Sequence, residues 1–124
     1  GYKVQGKESE DAEQMIRDAL ELEKAGAFGI VLEGIPENLA KTITEKLNIV
    51  TIGIGAGKYT DGQVLVYYDM LGYNDEVPKF VKKFAKAGEV MTDGIKSYIK
   101  EVRAGEFPSK EYTYKAVADI KKIY

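Results

Sequence analysis

The stretch Thr51-Ile52-Gly53-Ile54-Gly55-Ala56-Gly57 decides the fold, because it runs a β-branched strand directly into a glycine-rich loop. Upstream lies Gly29-Ile30-Val31-Leu32-Glu33-Gly34-Ile35-Pro36, a second apolar strand that ends on a carboxylate. Between them Pro36, with its fixed φ, opens a helix whose stripe is Leu39, Ile43 and Leu47. Strand, helix and strand in this order predict a parallel pair joined by a crossover. An acid after one strand and glycines after the next is how barrels and open α/β sheets build their sites.

Further outward, Ser9 to Ala25 reads as a helix. Ala12, Met15, Ile16, Ala19, Leu20 and Leu22 repeat near the helical period, acids crowd the first turn, and Gly26 supplies the stop. The strand over 27–33 is apolar at successive positions, which predicts cover on both faces. The second strand is expected over 49–54. Val64-Leu65-Val66-Tyr67-Tyr68 predicts a third strand over 63–68, halted by Gly72. Pro78 to about Ala87 reads as a helix, and Glu89 to Ala104 as another with Val90, Ile95, Tyr98, Ile99 and Val102 in its core. Phe107-Pro108 breaks that pattern, and the tail 110–124 is expected to dock through a weak helix over Ala116–Tyr124.

With no internal repeat or linker, residues 1–124 are expected to form a single α/β unit. Three strands cannot close a barrel, and a parallel sheet this narrow leaves apolar edges unpaired. The 124 residues are about half of the roughly 250 that an eight-stranded α/β barrel takes. Gly1-Tyr2-Lys3-Val4-Gln5-Gly6, without an initiating methionine, reads like the inside of a domain, so a fragment is expected.

Composition removes whole classes of chemistry. The chain has no cysteine and no histidine, which excludes thiolate metal sites and Ser-His-Asp or Cys-His catalysis. Carboxylate, lysine or tyrosine is left to move protons. A net charge of −2 gives no footprint for nucleic acid or an anionic membrane. No apolar run approaches about 18 residues and no signal sequence opens the chain, so a soluble cytoplasmic protein is the expectation. Lys79, Lys82, Lys83 and Lys86 cluster, and with Glu76 and Glu89 flanking them they read as a solvated face.

Glu33 is the leading candidate. At a strand's C-terminal mouth it would be partly desolvated and suited to act as a general base. The alternative is a carboxylate that satisfies backbone N–H groups at the start of the next helix. Gly53, Gly55 and Gly57 could bring backbone N–H groups to a ligand in the pocket mouth, or could simply be the residues that fit a tight strand exit. No Gly-Lys-Ser/Thr follows them, so the loop is not a nucleotide motif. Asp61 and Asp69 are oxygen donors of the kind that bind Mg²⁺, and turn chemistry explains Asp61-Gly62 equally well. Packing accounts for Tyr67 and Tyr68, docking for Tyr112 and Tyr114, and solvent exposure for Lys58.

Taken together, these blocks resemble a known family. Gly1–Gly6, Val31–Pro36, Ile52–Gly57, Asp61-Gly62-Gln63-Val64-Leu65-Val66 and Pro78-Lys79-Phe80 occur in this order in ketopantoate hydroxymethyltransferases. The resemblance runs from Gly1 to about Tyr114 and covers the family's C-terminal half. It implies the second half of a (β/α)₈ barrel of the phosphoenolpyruvate/pyruvate superfamily. It also implies transfer of a one-carbon unit from 5,10-methylenetetrahydrofolate to 3-methyl-2-oxobutanoate, giving 2-dehydropantoate on the way to pantothenate and coenzyme A. Glu33 matches the family's general base. The implied Mg²⁺ would take its ligands from the N-terminal half of the barrel, so no metal ligand is assigned in this chain. The implied partners are that half, a small 2-oxo acid and further copies in a homo-oligomer. The family's histidines before the last-strand aspartate and in its tail are replaced by Tyr68 and Tyr112, so their roles do not carry over. Two other readings stay open on sequence: a half-barrel used only for assembly, and another carbon–carbon bond enzyme acting on oxo acids.

Overall fold

The structure is a computed structural model and describes residues 3–118 and 121. The residues fall into two compact units, Gly1–Lys86 and Ala87–Tyr124, each described by itself.

The first unit opens with helix α1, Ser9–Lys24, carrying Glu10 and Asp11 in its first turn. It ends as the sequence predicts. Gly26 takes φ +103°, its N–H bonds to the Glu23 carbonyl, and the Ala27 N–H reaches back to Leu22 at 3.0 Å. These two bonds form a Schellman cap. The Glu23 side chain then accepts the N–H groups of Asn48 and Ile49, tying the helix end to the entry of a strand.

Strand β1, Gly29–Glu33, leads into helix α2, Glu37–Lys46, and on to strand β2, Val50–Ile54. The two strands are parallel, with Val31 opposite Ile52 and Glu33 opposite Ile54. A third parallel strand, β3, spans only Gly62–Gln63, and the sheet order β1-β2-β3 follows the chain. Strands β1 and β2 neighbour each other in chain order with α2 between them, which makes a βαβ unit. The connection from β2 to β3 is short for a parallel pair, which ordinarily needs about a dozen residues or more. It suffices because β3 pairs only with the middle of β2, at Ile52 and Gly53.

The core lies on one side of this sheet. Ala19 of α1 packs with Leu32 of β1, with Leu39, Ala40 and Ile43 of α2, and with Leu47 and Ala56. By strand alternation, Val31, Glu33, Val50, Ile52 and Ile54 share the opposite face. No helix covers that face: Val31 is 58% exposed and Val50 51%, while Ile52 and Ile54 are half-buried. The expected cover on both faces is therefore corrected to cover on one, since both helices pack on the Leu32 side.

Two further expectations change. The strand over 63–68 ends at Gln63, apart from one more bond from the Val64 N–H to the Gly53 carbonyl. Pairing stops there, and Tyr67–Met70 turns into a short helix, α3, with Tyr67 and Tyr68 stacked at 4.2 Å. The helix expected from Pro78 is absent, and only a turn at Lys79-Phe80 forms. Tertiary contacts hold the segment out instead. The Phe84 N–H bonds to the Met70 carbonyl at 2.7 Å, and the Ala85 carbonyl oxygen lies 2.2 Å from where a Gly72 Cβ would be.

The second unit is helix α4, Ala87–Arg103, capped at Gly105 by the same Schellman pair of bonds, followed by a 3₁₀ turn at Lys110–Tyr112. The sequence locates this helix well but misplaces its burial. Val90, Ile95, Tyr98, Ile99 and Val102 are all exposed, with Tyr98 edge-on to Phe107 at 5.7 Å. The helix expected over Ala116–Tyr124 lies largely outside the described residues, and 116–118 carry none.

Candidate functional site

Glu33 is the last residue of β1, on the face of the sheet that no helix covers. Its position is fixed from both sides. The Gly34 N–H donates to the Ile54 carbonyl at 2.9 Å, and the Gly34 carbonyl accepts the Gln5 N–H at 2.8 Å. Gly34 can sit there because it takes φ +60°. The carboxylate is exposed rather than partly desolvated as expected, because no layer covers its face of the sheet. It borders a groove of about 290 Å³ along the β1 edge, formed with Met15, Asp18 and Leu22 of α1.

A larger cavity of about 610 Å³ lies over the ends of β1 and β2, with Gly34, Gly55 and Gly57 in its wall. Val4, Leu65, Phe80 and Phe84 give it an apolar lining. The three candidate glycines divide by what they touch. Gly53 is buried under Thr60, where a Cβ would come 2.6 Å from the hydroxyl. Gly55, at φ +65°, lies against the Phe80 ring, and Gly57, at φ +77°, against the Glu37 side chain. All three therefore answer a close approach, and two of them also face the cavity. Gln63 locks the loop by donating to the Gly57 carbonyl at 2.7 Å.

Asp61 is committed elsewhere. Its carboxylate accepts the Thr51 N–H at 2.9 Å and lies 3.2 Å from the Thr51 hydroxyl, which in turn accepts the Asp61 N–H at 3.1 Å. Thr51 is fully buried, and its hydroxyl also meets that of Thr44 at 2.9 Å. This interlock fastens the β3 turn to the root of β2. Nothing in the sequence paired Thr51 with Asp61, and the spacing of ten residues belongs to no short motif. Asp69 instead accepts a bond from Asn74 at 2.7 Å. Among the described residues, no three of His, Cys, Asp or Glu come together as a metal cluster. The donor set among the described residues therefore does not by itself fit a divalent ion. Lys58 is exposed, with Nζ 5.5 Å over the Tyr59 ring. The Tyr67 phenol is held above its ordinary pKa, chiefly by its hydrogen bond with Tyr68.

With a carboxylate ending β1 and a glycine loop ending β2 of a sequentially ordered parallel sheet, comparison with known proteins becomes decisive. The family model for ketopantoate hydroxymethyltransferase matches residues 1–110. The chain belongs to the ketopantoate hydroxymethyltransferase family. A 3-methyl-2-oxobutanoate hydroxymethyltransferase of Clostridium beijerinckii is 60% identical over all of this chain and 46% of its own length. Proteins of the same name from Clostridium novyi, 60% identical over 93% of the chain, and Clostridioides difficile, 52% identical over all of it, agree. The chain spans under half the length of these relatives, 42–46%. No described helix is long and apolar enough to cross a membrane.

Proposed function

We propose that this chain is the C-terminal half of a (β/α)₈ barrel that makes 2-dehydropantoate in pantothenate and coenzyme A biosynthesis. The hydroxymethyl group comes from 5,10-methylenetetrahydrofolate and the acceptor is 3-methyl-2-oxobutanoate. One observation carries the reading: Glu33 ends β1 on a sheet face that no helix of this chain covers. A parallel sheet with an uncovered apolar face is completed either by a second layer or by closing on itself, and closure puts Val31, Ile52 and Ile54 inside a barrel. Glu33 then stands at the C-terminal mouth, where the barrel excludes water.

In that setting the Glu33 carboxylate takes the proton from C3 of the oxo acid. Water adds to the methylene carbon of the folate and both its C–N bonds break, leaving tetrahydrofolate and formaldehyde. The electron pair at C3 then forms the new C–C bond to the formaldehyde carbon, whose oxygen takes up the proton and becomes the hydroxyl. With neither histidine nor cysteine in the chain, a carboxylate is the suited base. The family reading includes Mg²⁺ on the oxo acid. Its ligands would have to come from the N-terminal half, and the step assigned to this chain is the proton transfer alone. The completed protein acts on small molecules as a cytoplasmic homo-oligomer. The test is exchange of the C3 proton in the complete protein, which Glu33→Gln should abolish while leaving the fold intact.

A further inference from the structure

Gln63 belongs to a sequence block, Asp61–Val66, that the proton transfer at Glu33 leaves without a task. It stands on β3 opposite Gly53, and it borders the cavity over the ends of β1 and β2. Its amide nitrogen donates to the Gly57 carbonyl at 2.7 Å and to the Thr60 hydroxyl at 3.1 Å. The Thr60 hydroxyl gives its own proton to the Gly62 carbonyl at 2.8 Å, so toward Gln63 it acts as an acceptor. Both partners of the amide nitrogen are therefore acceptors, which fixes the amide's orientation and makes donation the property needed at position 63. Both bonds are exposed. Water replaces such bonds at small cost, so they contribute little to folding.

What they hold is the loop beside Glu33. Gly57, at φ +77°, lies so close to the Glu37 side chain that a Cβ would come 2.6 Å from it. Just upstream, the Ile54 carbonyl accepts the Gly34 N–H at 2.9 Å. The loop after β2 thus touches the Glu33–Glu37 connection near both its ends, through Ile54 on Gly34 and through Gly57 on Glu37.

We propose that Gln63 is a positioning residue for Glu33. By holding the Gly57 carbonyl it fixes the loop after β2, and that loop fixes the connection on which Glu33 stands. The inference rests on the reading of Glu33 as the base and adds to it a residue that acts through the backbone. Misplacing a reacting group by about 1 Å can cost about 10²-fold in rate, so a weak bond far from the reacting atoms still governs turnover.

The experiment uses the complete protein and follows proton exchange at C3 of 3-methyl-2-oxobutanoate, with amide hydrogen exchange at Gly34 as a second readout. Gln63→Glu keeps the shape but presents a carboxylate that cannot donate, and Gln63→Met keeps the length without charge or polarity. Each should lower kcat for C3 exchange about tenfold and leave KM for the oxo acid within about twofold of the parent. Amide exchange at Gly34 should quicken while the melting temperature barely moves. Gln63→Lys, which restores a donor of similar reach, should recover most of the rate. A space-filling role predicts the reverse ranking, with Glu tolerated and Lys not, and that ranking would overturn the assignment. Unchanged amide exchange at Gly34 would overturn it too, as would a raised KM with unchanged kcat, which makes Gln63 a substrate contact. Glu33→Gln is measured alongside. Loss of C3 exchange there, with none in the Gln63 variants, sinks the positioning role alone. Undiminished exchange in Glu33→Gln sinks the catalytic reading, and the positioning role with it.

Discussion

The ring of Phe80 lies directly against Gly55, so that a Cβ on that glycine would come 2.5 Å from the ring. One contact thereby couples the loop after β2 to the segment that carries the lysines. Gly55 also takes φ +65°, a conformation that costs an ordinary residue about 1–2 kcal/mol. Gly55→Val is expected to destabilise the complete protein by at least about 2 kcal/mol and to weaken ligand binding. Gly55→Ala should cost less on both counts, since its methyl displaces the ring less. Urea titration of the three proteins gives the ranking, and a Val variant as stable as the parent would refute the close approach.

Glu33→Gln keeps the side chain's shape and removes its basicity. Because the change conserves volume at the end of a strand, circular dichroism and melting temperature should barely move. Exchange at C3 of 3-methyl-2-oxobutanoate should fall by about 10²–10⁴-fold, the usual contribution of a general base. Near-normal exchange by the Gln variant would take Glu33 out of the chemistry.

Thr51→Val removes a buried hydroxyl that meets Thr44 and Asp61. The isosteric change leaves two polar partners to find new bonds, a cost of about 1–3 kcal/mol. Thr51→Ser, which restores the hydroxyl, should recover most of it. A Val variant that unfolds at the same denaturant concentration as the parent would show that the interlock adds nothing.

Nucleotides should not bind the glycine loop. Gly53, Gly55 and Gly57 each answer a side chain that presses on the backbone, and no lysine-hydroxyl pair follows them. Addition of ATP or NAD to the complete protein is expected to leave its melting temperature where it was. A concentration-dependent rise would contradict this.

Produced alone, the chain should catalyse no exchange. Its sheet has a face that no helix covers, and its donor set does not hold a metal ion among the described residues. Mixing it with a separately produced N-terminal half is expected to restore cooperative unfolding and exchange together. Turnover by the chain freed of any partner, as judged by mass spectrometry, would count against the half-site.

Local signals were read well where the chain's own chemistry enforces them. The stop at Gly26 was legible because only a residue tolerant of positive φ closes that cap without strain. The stripe Leu39, Ile43 and Leu47 was legible because helical spacing and burial coincide there. The segment after Pro78 misled, since Phe80 and Phe84 carry a helical apolar pattern. Their rings serve a cavity instead, and the backbone is held by Met70. Val64 to Tyr68 misled in the same way: strand propensity counts only as far as a partner strand runs, and β2 ends at Ile54.

By itself, the sequence determined the parallel βαβ order, the carboxylate and glycines at adjacent strand ends, the family and the absence of histidine and cysteine chemistry. These follow from residue types and short-range spacing, which act along the chain. Tertiary structure alone decided that the sheet is covered on one face, that Asp61 is spent on Thr51, and that the three glycines serve different neighbours. Each of those depends on which distant side chain arrives at a given backbone atom. Contacts between segments far apart in the chain set that, and no local period encodes it.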